Sequence, residues 1–159
     1  MTSLQASRPL SETDEPWRLS AVEAAAAIRE GRLRARDLVE SSLERIERHD
    51  GWLHAFLTVA AKSARDAADE ADRATREGRA RGPLHGLPVA VKDTTLTAGI
   101  RTTFGSPIYA NNVPDQDDLS VQRLKAAGAI VIGKTNMPEF AMGPRSVNRL
   151  MASTATPRS

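Results

Sequence analysis

Gly82-Pro83-Leu84-His85-Gly86-Leu87-Pro88-Val89-Ala90-Val91-Lys92-Asp93 is the stretch at which this chain changes character. Its second half, Leu87 to Lys92, is short, apolar and β-branched, and Gly86 and Pro88 mark its start, which predicts a buried strand over about residues 87–92. A second apolar run, Ala129-Ile130-Val131-Ile132, predicts another strand over about 129–132. The Thr-, Gly-, Pro- and Asn-rich segment Thr94–Asp118 between them reads as a long loop. Leu119–Ala127 reads as a short helix stopped by Gly128. Strands this apolar, alternating with helices, imply an α/β sheet covered on both faces.

Upstream the pattern is helical. Ser20 and Glu23 form a Ser-x-x-Glu capping box ahead of AVEAAAAIRE, and Gly31 supplies the stop, predicting a helix over about 20–30. Leu38, Val39, Leu43 and Ile46 fall on one face of a second helix, about 35–49. Alanines at 60, 61, 64, 67, 68, 71 and 74 stripe a third, about 58–77, ended by Gly78. Residues 1–16 are polar, contain two prolines and show no periodicity, so they read as a flexible lead-in. Residues 149–159 show no pattern at all.

Composition narrows the classes. The 159 residues carry 22 Lys+Arg against 20 Asp+Glu, for a formal net charge of +2. No block is basic enough to be the footprint of a nucleic acid or a membrane surface. Twenty-five of the residues are alanine and only six are aromatic, so the 40% hydrophobic content makes a thin core suited to packing against something else. Without cysteine there is no disulfide framework, thiolate nucleophile or thiolate metal site. No apolar run approaches the ~20 residues that span a bilayer, and no secretory signal is visible at the N-terminus. The expectation is a cytoplasmic protein needing no cofactor and no metal.

Two motif matches dissolve on inspection. Gly128-Ala129-Ile130-Val131-Ile132-Gly133-Lys134-Thr135 fits G-x-x-x-x-G-K-[ST], but a helix precedes the first glycine and the apolar strand lies inside the motif rather than before it. β-Branched residues avoid the positive φ angles of a phosphate nest. Val89-Ala90-Val91-Lys92 resembles the lysine strand of protein kinases, yet neither the glycine-rich loop nor the H-R-D sequence accompanies it. His49, His54 and His85 share no metal-ligand spacing and read as surface or capping residues. Asp115, Asp117 and Asp118 read as a solvated turn and an acidic helix start. Lys92 stands apart because it ends an otherwise apolar strand, where α/β sheets place their ligands. It is either functional there or a lysine leaving the sheet edge for solvent.

The whole of Gly82–Asp93 resembles the opening of the amidase signature family, and Leu124-Lys125-Ala126-Ala127-Gly128-Ala129-Ile130-Val131-Ile132-Gly133-Lys134-Thr135-Asn136-Met137-Pro138-Glu139-Phe140 resembles its next block, in the family's order and at about its spacing. Asp37-Leu38-Val39-Glu40 and Leu43-Glu44-Arg45-Ile46 are similar to its N-terminal helices. The resemblance runs from about Pro16 to Asn148. It implies the N-terminal part of an α/β/α amidase-type fold with a mixed sheet, preceded by helices, and chemistry at an amide C–N bond of a small molecule. It also implies a Ser–cis-Ser–Lys triad of nucleophile, bridging serine and base, of which only the base maps here, onto Lys92. A lysine serves as base at neutral pH only when desolvation favours its neutral form. Neutral, it can take a proton relayed from the nucleophile.

The Gly/Ser-rich stretch expected beyond residue 148 is absent, and Ser146, Ser153 and Ser159 lie in no glycine-rich context. The composition of the tail, with 18 Arg against 4 Lys in the whole chain, fits an out-of-frame reading of GC-rich DNA. The expectation is therefore an amidase-family hydrolase cut short before two of its three triad members and inactive alone. The alternative is a non-catalytic binding or regulatory domain that retains the N-terminal fold.

Overall fold

The first helix starts on a local cap and the second on one supplied from a distant part of the chain. The computed structural model describes residues 15–80 and 82–155. Of the lead-in expected over residues 1–16, residues 1–14 lie outside the described residues. Pro16–Arg18 form a single 3-10 turn. Helix α1, Ala21–Arg29, has both halves of its capping box: Glu23 N–H donates to Ser20 Oγ and Ser20 N–H to the Glu23 carboxylate. Helix α2, Ala35–Leu53, has no side-chain cap of its own. Instead the buried Asp72 carboxylate accepts from Ala35 N–H at 2.7 Å and Arg36 N–H at 3.2 Å. The helix runs four residues past the expected end at 49, through Gly51, and stops at His54 in the left-handed region (φ 54°).

One element departs from expectation. Residues Phe56–Val59 form strand β1, and helix α3 spans Ala61–Arg76, so Thr58 and Val59 belong to a strand and not to the third helix. The physical reason is tertiary. Asp50 Oδ1 accepts from Ala55 and Phe56 N–H and turns the chain, and the four residues then pair with a strand more than seventy residues away. Strand β2 is Pro88–Lys92, α4 is Leu119–Ala126, and β3 is Ile130–Thr135, three residues longer than expected at its carboxyl end. The order is β1-β3-β2, with β1 antiparallel and β2 parallel to β3. The sheet is mixed, as the resemblance implied.

The faces of the sheet separate the layers. Ile130 and Ile132 pack with Leu87 against α1, α2 and α3, whereas Val91 and Val131 pack with Ile100 and with Val121 of α4. Alanines 64, 68 and 71 of α3 are buried, and that face lets α3 approach α2 closely. The outer rim of α2 and α3 is tied by Glu40, which takes bonds from Arg36 and Arg65 and is lowered to about 2 by the Arg65 guanidinium first. A bulge interrupts the β2–β3 register: Val89 pairs with Val131, but Ala90 pairs with Gly133 and Val91 with Lys134. The extra residue shifts the alternation of β3 beyond Ile132. Lys134 thereby joins the face of Val91 and Val131, and Lys92, beside Thr135, leaves the opposite face.

Candidate functional site

The carboxyl ends of β2 and β3 lie side by side, and the chain leaving each builds the site. Lys92 ends β2 and is exposed, with no hydrogen-bond or ion-pair partner for its Nζ among the described residues. The desolvation that a lysine base needs is therefore not supplied by the described residues around Lys92. It falls on the lysine of the neighbouring strand. Lys134 has no exposed surface, and its Nζ donates to Thr95 O, to Thr97 Oγ1 at 3.0 Å and to Thr102 Oγ1 at 2.9 Å. Burial lowers Lys134 from 10.5 to about 8, against the opposing pull of Asp93, Asp118 and Asp117.

Asp93, directly after Lys92, is also fully buried. Its Oδ2 accepts from Thr103 N–H (2.9 Å), Thr103 Oγ1 (2.5 Å) and Gly105 N–H (3.3 Å), while Oδ1 is buried without a hydrogen-bond partner. Gly105 is required here. Its φ is +66°, and a Cβ would stand 3.1 Å from the carbonyl oxygens of Met137 and Pro138, which leave the end of β3. Phe104 and Phe140 both adopt left-handed φ angles of 54° and 51°, strained for aromatic residues, and Phe140 N–H donates to Phe104 O at 2.8 Å. Tyr109 stands edge-on to both rings.

The long loop is held shut rather than loose. Asp117 accepts from Ala98 N–H and from Lys125 Nζ, and Asp118 accepts from Leu96 N–H. Asp118 is the N-cap residue of α4, the acidic helix start expected, but its carboxylate and that of Asp117 bind inward rather than forming a solvated turn, because the loop's own amides need acceptors. His85 is likewise buried and not at the surface: its Nε2 lies 2.9 Å from Thr75 Oγ1 and 3.1 Å from Ala71 O. Among the described residues no three His, Cys, Asp or Glu side chains group as metal ligands. The G-x-x-x-x-G-K-T match is a strand, as its composition indicated, and its lysine is spent on the loop threonines.

The C-terminal segment is fastened to the same corner. Asn136 Nδ2 donates to His54 O, Ala152 O and Thr154 Oγ1, and Asn148 Nδ2 donates to Asn136 Oδ1 at 2.7 Å. Residues 156–159 of the tail lie outside the described residues. Sequence reading singled out Lys92 and passed over Lys134, Asp93 and the threonines. A lysine closing the most apolar run of the chain, opposite a loop rich in Thr, was the available signal.

A family model described as Amidase matches residues 37–159. The chain is similar to the A-subunit of glutamyl-tRNA(Gln) amidotransferase from Anaeromyxobacter sp. (strain K), 47% identical over 134 residues, which cover 84% of this chain and 27% of that protein. The corresponding protein of Streptomyces coelicolor is 43% identical over 140 residues, covering 88% and 28%. Among solved structures, the peptide amidase of Stenotrophomonas maltophilia superposes with a TM-score of 0.75 at 36% identity, covering 80% of this chain and 26% of the amidase. A fatty acid amide hydrolase gives 0.85 at 25% identity, over 91% and 26%. The chain thus spans about a quarter of the length of these relatives. Among the described residues no helix is long and apolar enough to cross a membrane.

Proposed function

Because the chain belongs to the amidase family, we propose that it forms the N-terminal, base-carrying part of a site that hydrolyses or transfers a small-molecule amide, with Lys92 as the base. The observation that carries this reading is the position of Lys92: last residue of a central-layer strand, exposed, unpartnered among the described residues, and flanked by the fully buried Asp93. A lysine so placed is held by the sheet rather than by a loop. In the proposed reaction neutral Lys92 receives the proton of a serine nucleophile through a bridging serine. Those serines and the oxyanion-hole donors lie beyond what this chain aligns to, and the same later region would desolvate Lys92. Base, nucleophile and oxyanion hole act as a unit, so the 159-residue chain by itself is expected to turn over no amide. The proposal includes a cytoplasmic location and no nucleic-acid contact by this portion.

A chimera tests the assignment. When this chain replaces the matching part of the Anaeromyxobacter protein, amidotransferase activity should persist, and Lys92→Ala should lower kcat about a hundred- to ten-thousand-fold. Full activity in Lys92→Ala, or amide turnover by the isolated chain, contradicts the reading.

A second reading, a non-catalytic binding domain, draws support from the bonds that hold Asn148 and Thr154 to the body of the fold. A single cooperative unfolding transition, together with an inactive chimera, would favour it.

A further inference from the structure

Lys134 occupies a place in the molecule that the proposed chemistry leaves unused. Its three polar contacts all fall on the segment that follows Lys92, at Thr95, Thr97 and Thr102. The hydroxyl protons of Thr97 and Thr102 are already committed: Thr97 Oγ1 donates to Thr95 O at 3.1 Å, and Thr102 Oγ1 donates to Ile100 O at 3.0 Å. Both hydroxyl oxygens can therefore only accept, and Lys134 must supply three donors, which an ammonium has.

One of the three bonds leads straight back to Lys92. Thr95 N–H donates to Lys92 O at 3.0 Å, and Thr95 O receives Lys134 Nζ. Thr95 is thus gripped from both sides, by the carbonyl that ends β2 and by the ammonium of β3. Asp93 adds a second hold one residue beyond Lys92, through Thr103 and Gly105. Asp93 acts electrostatically on the Lys134 ammonium, and the bulge between Val131 and Gly133 is what brings Lys134 to the face of Val91 and Val131. Asp118 and Asp117, at the loop's other end, also favour the charged form of this ammonium.

We propose that Lys134 is a positioning residue for Lys92: with Asp93 it forms a buried pin that fixes the turn ending β2 and so holds the backbone from which Lys92 projects. The inference rests on the reading of Lys92 as the base, since only a base needs that backbone held. Lys134 itself touches no substrate and sits on the face opposite to that of Lys92.

The test is amide exchange and ¹⁵N relaxation on the whole labelled chain. In Lys134→Met, protection of the Thr95, Thr103 and Gly105 amides should fall at least tenfold, and the order parameters of Lys92 and Asp93 should drop, with α1 and α2 amides unchanged. Thr97→Val and Thr102→Val, which each remove one acceptor and keep the lysine, should move the same residues less, and they decide the matter if Lys134→Met does not fold. Loss of protection in the loop with Lys92 order unchanged overturns the proposal, because Lys134 then secures only the loop. A uniform loss across all helices also overturns it. Order at Lys92 is read without any hydrolysis, so this outcome is separate from that of the chimera: Lys92 loosened by Lys134→Met in a chimera indifferent to Lys92→Ala would retire the base and keep the pin.

Discussion

A lysine without exposed surface must either give up its proton or find acceptors for all three, and Lys134 has found three acceptors while burial still favours its neutral form. Desolvation pulls it down to about 8 while Asp93, Asp118 and Asp117 pull the other way. The unfolded chain, where the lysine keeps its ordinary 10.5, binds more protons than the folded one between about pH 8 and 10.5. Stability contributed by this group therefore rises with pH across that window and is lowest below it. Measured as urea midpoints, the difference between the wild-type chain and Lys134→Met should grow in favour of wild type from about pH 8 to about pH 10. A difference that does not change with pH contradicts the assignment. Lys92 could be picked out from sequence because it breaks an apolar pattern. Lys134 closes an apolar run as well, but which face it joins depends on a bulge that only strand pairing creates.

At the scale of elements, β1 is the piece that sequence periodicity assigns wrongly. Four residues between two helices carry too little pattern to stand against the alanine stripe that follows them. The strand exists because Gly133 lets it in: a Cβ there would stand 2.5 Å from Thr58 O and 3.0 Å from the Phe56 ring. Gly133→Ala should push β1 off β3 and cost about 1–3 kcal/mol, seen as a lowered unfolding midpoint with exchange protection lost at Thr58 and Ala60 ahead of the helices. An unchanged midpoint would mean that the two strands separate freely.

At the scale of the molecule, the sheet is narrow for its load. With the order β1-β3-β2, the outer side of β2 has no strand partner among the described residues, and Ile108, Val113, Phe140 and Met142 are exposed. Unpaired edges and apolar surface promote association. Sedimentation should show the isolated chain associating with rising concentration, and Ala90→Lys, a charge on the exposed mid-strand position of β2, should shift it toward monomer. A chain that stays monomeric at all concentrations would show that this edge is already protected.

By itself the sequence determined the elements whose signals are local: the capping box of α1, the alanine face of α3, the apolar strands β2 and β3, and the family to which their two motif blocks belong. It also singled out Lys92, by its position at the end of an apolar strand. Tertiary structure decided what depends on partners distant in the chain. Asp72 caps α2 from α3, β1 forms only on β3, and the bulge turns Lys134 toward the loop that Asp93, Asp117 and Asp118 close. A hydrogen bond to a residue tens of positions away leaves no periodic mark in the sequence, so the lysine that burial perturbs became visible only once the strands were paired.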